Sequence, residues 1–137
     1  MADDRRRTLV LALLVLTVAQ LLHGLDLLRT DPDETLVTVL TAPQGLAGLG
    51  GSLLAALAVA RRWAPWDLRL ARLAGALIGV GFVIVHGLPW ASPSTAPYWG
   101  EGSADAIEWL GVGVILALCA WVLTLTRSRQ SAVAASA

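Results

Sequence analysis

The sequence predicts an all-α fold, a bundle of four transmembrane helices with both termini in the cytoplasm, and three observations carry that prediction. Hydrophobic residues make up 56% of the 137-residue chain and charged residues only 15%, a balance foreign to a soluble domain of this size. The apolar residues gather into runs long enough to cross a hydrocarbon core of about 30 Å at 1.5 Å per residue. The formal net charge is zero, yet the charges are segregated, and all ten basic residues are arginines. Arg5, Arg6, Arg7, Arg61, Arg62, Arg69, Arg72, Arg127 and Arg129 flank apolar runs at alternate ends, whereas Asp31, Asp33, Glu34, Glu101 and Asp105 occupy the other connections. This is the positive-inside pattern for an even number of spans. Arg29 alone falls on the acidic side. Nothing in this pattern calls for a nucleic-acid partner.

After a basic cytoplasmic arm, 1–7, the first span covers about 8–28. Arginines followed by a leucine run also resemble a signal peptide, with "TVAQ" at 17–20 as a weak cleavage site. The apolar run continues past that point unbroken, as an uncleaved anchor would. "TDPDE" at 30–34 has the form of a helix start, with Asp31 as N-cap and Pro32 at the first helical position. The stretch from Pro32 to Arg62 is too long for one straight span, and Pro43 interrupts it. Residues 32–42 are therefore expected as a short outer-surface helix or lid and 44–62 as the second span; one tilted helix kinked at Pro43 is the alternative.

"RRWAPWD" at 61–67 is a tight cytoplasmic turn with Trp63 and Trp66 at the interface and Asp67 as a cap. The third span covers about 68–88. "ASPSTAPYWGEGS" then forms an outer loop whose Trp90, Tyr98 and Trp99 suit the headgroup belt. Asp105 opens the fourth span, about 106–126, with a capping-box-like Asp-Ala-Ile-Glu, and 127–137 is expected as a disordered cytoplasmic tail. Gly75 and Gly79 in span three, "GLAGLGG" in span two and Gly111 and Gly113 in span four are small residues where helices must touch. Cys119 is the single cysteine, so no intramolecular disulfide forms, and it is expected as a small core residue.

Counted from the cytoplasmic arginines, each span delivers one polar side chain to nearly the same depth. His23 lies about 24 Å above Arg7, Gln44 about 26 Å above Arg61, His86 about 28 Å above Asp67 and Glu108 about 28 Å above Arg127. Asp26, three residues after His23, shares its helical face. Ionisable groups inside spans are costly and usually face the bundle interior or a wet cavity, so these five residues are the ligand-binding candidates. The alternative for Glu108 and Asp26 is contact with headgroup water, and for the histidines a hydrogen bond to a neighbouring helix.

Three chemistries fit the cluster. His23 and His86 can ligate a haem iron axially. With Glu108 they can hold a divalent metal with an open position. A histidine and a carboxylate also suit a quinone head group, one bonding a carbonyl oxygen and the other handling protons. The tripeptide His-Gly-Leu stands at both 23–25 and 86–88, 63 residues apart, and each is followed by a polar residue 21 or 22 positions on, Gln44 or Glu108. The two hairpins thus form a weak parallel repeat.

"LLHGLDLL", "QGLAGLGGSLLAAL", "VIVHGLPW" and "PYWGEGSADAIEWLGVG" together resemble the four-span DoxX-like family over about residues 8–126. Members often carry a His-Gly near the end of span one, a glycine-rich span two, a His ending span three and an acid opening span four. Here Asp26 and Leu27 stand where the family has a basic residue, and Ala47 where it has an acid. The resemblance implies a bacterial-type inner-membrane bundle, some of whose relatives are associated with quinol-oxidising or oxidative-stress assemblies, with His23, His86 and Glu108 as the residues that match. A thiol-based quinone reductase has the same span count, but its paired cysteines are missing.

The resulting expectation is a small membrane protein that binds rather than turns over. It would be an accessory subunit of a membrane redox assembly, with an outer-leaflet His/Glu pocket for a quinone or similar lipid-like ligand, and with membrane lipids, redox subunits or further copies of itself as partners. The contrasting expectation is a non-catalytic structural or lipid-interacting protein whose histidines only tie helices together. A transport role lacks a charged residue at mid-membrane, where such sites usually sit.

Overall fold

A computed structural model describes residues 2–30, 35–87 and 106–134. Within them the chain forms α1 (Ala2–Thr30), α2 (Leu36–Thr41), α3 (Pro43–Arg61), α4 (Trp66–Phe82) prolonged by a π-helical turn (Val83–Gly87), and α5 (Ala106–Ala134). The described residues contain no strand. The proposed Asp31–Pro32 helix start, the 89–105 loop with its aromatic residues, and the Asp105 cap lie outside the described residues.

Three of these helices are long and apolar enough to cross a membrane, over Asp3–Asp26, Trp66–His86 and Ile107–Arg127, and the apolar stretch of α3, Gly45–Arg61, is shorter. Large apolar side chains such as Leu11, Leu22, Leu77 and Leu110 lie exposed on their outer faces. Water would penalise that surface, and hydrocarbon would not.

The helix limits differ from expectation in several places, each with a local cause. The arginine arm belongs to α1, whose first turn carries Asp3 and Asp4, acids that complement the helix dipole. A short helix does precede Pro43, and its N-cap is Thr35. Thr35 and Thr38 bond each other's backbone reciprocally in a capping box, which satisfies two orphan N–H groups. Ala42 is extended at φ −54°, ψ 130°, as a residue before proline tends to be. Pro43 therefore begins a new helix instead of kinking one. The expected tail is helical through Ala134, since "RSRQSAVA" contains no Gly or Pro to stop propagation.

The α3–α4 connection is a Schellman closure. Trp63 N–H bonds Ala58 O at 3.0 Å and Arg62 N–H bonds Val59 O at 3.3 Å, with Arg62 left-handed at φ 57°; this geometry satisfies the last carbonyls of α3. Asp67, expected as the cap, is the second residue of α4 behind the N-cap Pro65. Its buried carboxylate accepts the Leu68 N–H at 2.8 Å and stands 3.8 Å from Arg6 of α1.

Helix α1 packs on α3 and α5, and α4 packs on the same two. Thus α1 and α4 face each other across the core. Each long helix contributes a stripe at three- and four-residue spacing: Leu9, Leu13 and Leu16; Ala55, Ala56 and Val59; Ala71, Ala74 and Ile78; Ile115, Cys119 and Val122. Cys119 is buried there, as expected. Small residues let helices close. A Cβ on Gly75 would lie 3.2 Å from Val122 Cγ1, and one on Gly79 would lie 3.3 Å from Cys119 Cβ. Gly50, Gly51 and Gly113, by contrast, face open space.

Candidate functional site

The core stripes become polar toward the end of the bundle formed by the α1 C-terminus and the α5 N-terminus. On α1 the series Leu9, Leu13, Leu16 continues as Gln20 and His23, both buried. On α4 the series ends in the half-buried Phe82 and the buried His86, the latter on the π turn. Helix α5 begins its stripe with the buried Glu108. The heptad-like spacing that builds the apolar core thus also delivers these polar groups inward.

His23 and His86 meet. Their ring centroids are 5.0 Å apart with planes at 81°, and Phe82 completes a triangle at 5.3 Å from His23 and 5.1 Å from His86. His23 Nδ1 is buried without a hydrogen-bond partner among the described residues. It lies in a notch on α5, because a Cβ on Gly111 would come within 3.1 Å of it. Glu108 precedes Gly111 by one turn and so shares its face of α5. The Glu108 and Asp26 carboxylates are the charges whose fields act on His23.

The sequence candidates are therefore distributed unevenly. His23, His86 and Glu108 are brought to one buried layer. Asp26 is half-buried one turn beyond His23. Gln44 stands in the first turn of α3, with its side chain outside the described portion. Among the described residues no three His, Cys, Asp or Glu side chains form a group able to hold a metal ion. His23, His86 and Glu108 share a buried level without forming such a group.

A second polar layer lies one turn deeper and was not singled out from the sequence. Thr17 Oγ1 and Ser52 Oγ are 2.8 Å apart, and Ser52 donates to Gly48 O at 2.9 Å. Gln20 donates to Leu16 O at 3.2 Å and to Ser52 Oγ at 3.4 Å. Its Oε1 occupies the space a Cβ on Gly48 would need, so the glycine admits the amide between α1 and α3. Gln20 stands three residues before His23, the spacing that could have marked it. Phe82, the single phenylalanine, stands four before His86.

Helix α2 covers the α1–α3 side of this end. Val39 supplies both contacts: its Cγ1 is 3.0 Å from where a Gly24 Cβ would be, and its carbonyl oxygen 3.0 Å from where a Gly45 Cβ would be. No known family model, curated protein or solved structure matches this chain.

Proposed function

We propose that this chain is a DoxX-like four-span protein of a bacterial-type inner membrane, with both termini in the cytoplasm. In this reading it serves as an accessory subunit of a membrane redox assembly. His23, His86 and Glu108 receive the polar head of a quinone or a similar lipid-like ligand, Asp26 and Gln44 line the approach, and the protein binds without turning the ligand over. The supporting observation is the buried His23 Nδ1 that has no hydrogen-bond partner among the described residues, set beside His86 and against Gly111, one turn of α5 from Glu108. An imidazole nitrogen withheld from water and from protein bonds loses free energy that a ligand carbonyl or hydroxyl would restore.

A second reading is favoured by a different observation, the direct contact of the His23 and His86 rings. There the imidazoles tie α1 to α4 and the protein is structural. One experiment separates the two. The protein is purified in mild detergent, its bound lipids and quinones are extracted and identified, and its visible spectrum and metal content are recorded. The first reading expects retained quinone or another polar-headed isoprenoid or lipid, depleted in His23→Ala and His86→Ala at near-normal thermal stability. Unchanged extracts from variants that melt early establish the second.

A further inference from the structure

The opposite, arginine-bearing end of the bundle holds a feature that neither reading uses. Arg72 of α4 reaches across to α5 and donates from Nη2 to Thr126 O at 2.7 Å. Its Nε is buried without a hydrogen-bond partner among the described residues. One turn earlier the exposed Arg69 lies over the Trp66 ring, its guanidinium carbon 5.5 Å from the centroid. On α5, Leu123 packs beside Gly75 of α4. Arg127 follows Leu123 by four residues, which puts it on the same α4-facing side.

By helical position Arg69, Arg72 and Arg127 thus stand on adjoining sides of α4 and α5 at the bundle's end. Two acids of this end are engaged elsewhere. Asp67 faces Arg6 of α1, and Asp3 pairs with Arg62 at 3.0 Å. Like charges gathered in one groove repel one another unless an anion lies between them.

We infer that the α4–α5 groove formed by Arg69, Arg72 and Arg127 binds the phosphate of an anionic phospholipid headgroup. Arg69 and Arg127 supply charge from the rim, Arg72 offers the inner donor, and the Trp66 ring holds the interfacial level beside it. Three points favour a lipid over a soluble phosphate. The exposed α4 surface on the same face as Arg69 is apolar, at Leu73, Leu77 and Val80, so acyl chains can lie along it. Basic grooves between membrane helices are recurrent lipid-headgroup sites. Tryptophan prefers this depth.

The test uses the full chain in mixed micelles containing either phosphatidylcholine alone or phosphatidylcholine with phosphatidylglycerol. Melting temperature and the number of co-purifying lipids are the readouts. Phosphatidylglycerol is expected to raise the melting temperature and to be retained, with affinity falling about fivefold for each arginine removed in Arg69→Gln and Arg127→Gln. Both side chains are exposed, so both variants fold. The control Arg7→Gln/Arg61→Gln removes equal charge from the same end and is expected to keep the effect. Equal losses in the control, or no response to phosphatidylglycerol, would overturn the site. Inorganic phosphate reproducing the shift at matched concentration would overturn the lipid assignment.

Discussion

His23 and His86 touch edge to face at 5.0 Å although they belong to α1 and α4, which stand diagonally across the core. Only a thin core layer allows that; Phe82 packs against both rings, and Gly111 leaves room for His23 on the α5 side. An edge-on ring pair contributes about 0.5–1.5 kcal/mol beyond its burial. A double-mutant cycle on His23→Ala and His86→Ala, read by reversible thermal or detergent unfolding, should return a coupling in that range. Additive losses would mean that the rings do not meet.

Gly111→Ala tests the notch. The added methyl would sit 3.1 Å from His23 Nδ1, so the imidazole must give by a few tenths of an ångström, toward the ring of His86. Gly113→Ala, two residues on, faces open space and should be neutral or gain up to about 1 kcal/mol from helix propensity. A loss of about 1 kcal/mol for Gly111→Ala against no loss for Gly113→Ala is the expected pattern. Ligand retention, should the quinone reading hold, falls only in the first.

What the sequence disclosed about this end followed from charge, and what it concealed followed from ordinary chemistry. His23, His86 and Glu108 were legible because ionisable groups in apolar runs are expensive and counting residues fixes their depth. Phe82 and Gln20 were not, since an aromatic in a leucine-rich helix looks like core, and a lone amide beside threonine passes for a turn of no consequence. The glycines divided the same way. Gly75 and Gly79 advertised a helix contact by spacing, but nothing in "GLAGLGG" told Gly48, which faces Gln20, from Gly50 and Gly51, which face open space. The apolar run lengths and the alternating arginines announced four helices. Their ends depended on local caps such as the Thr35–Thr38 box and on the absence of a stop signal after Arg127.

The Thr17–Gln20–Ser52 layer should behave as a polar clasp between α1 and α3. Interhelical hydrogen bonds in apolar surroundings contribute roughly 0.6 kcal/mol on average and up to about 1.7. Ser52→Ala removes the shared partner of Thr17 and Gln20 and is expected to cost about 1–2 kcal/mol. Gly48→Ala should displace the Gln20 amide, because Gln20 Oε1 already fills that position, and forfeit its bond to Ser52, while Gly51→Ala should cost nothing. If Gly48→Ala matches Gly51→Ala in unfolding assays, the amide does not lie where the structure puts it.

Helices α4 and α5 are predicted to separate when the glycine pair is enlarged. Gly75→Leu forces a side chain into Val122 and Leu123, and Gly79→Leu into Cys119, with no hydrophobic gain to offset the clash in lipid. Overpacking of this kind costs about 1–3 kcal/mol per site. Gly81→Leu, facing open space, is the control that should leave unfolding unchanged. A crosslink between cysteines placed at 72 and 126 should weaken in Gly75→Leu and persist in Gly81→Leu.

Arg62 makes the last prediction, and its sign depends on two opposed effects. As the left-handed residue closing α3, at φ 57°, it carries a Cβ where glycine would carry none, at a cost of about 1 kcal/mol. Against this stands its ion pair with Asp3 at 3.0 Å, between side chains 65% and 71% exposed, a kind of pair that contributes roughly 0–1 kcal/mol. Arg62→Gly removes both and should stabilise the protein slightly or leave it unchanged. Arg62→Ala removes the ion pair but keeps the left-handed cost, so it should be less stable than the glycine variant by about 1 kcal/mol. High salt screens the pair and should lower the wild-type melting temperature toward that of Arg62→Ala while leaving both variants in place. Equal stability of the two variants would mean that the closing turn relaxes out of the left-handed region in the membrane, and the Trp63–Ala58 hydrogen bond would be lost with it.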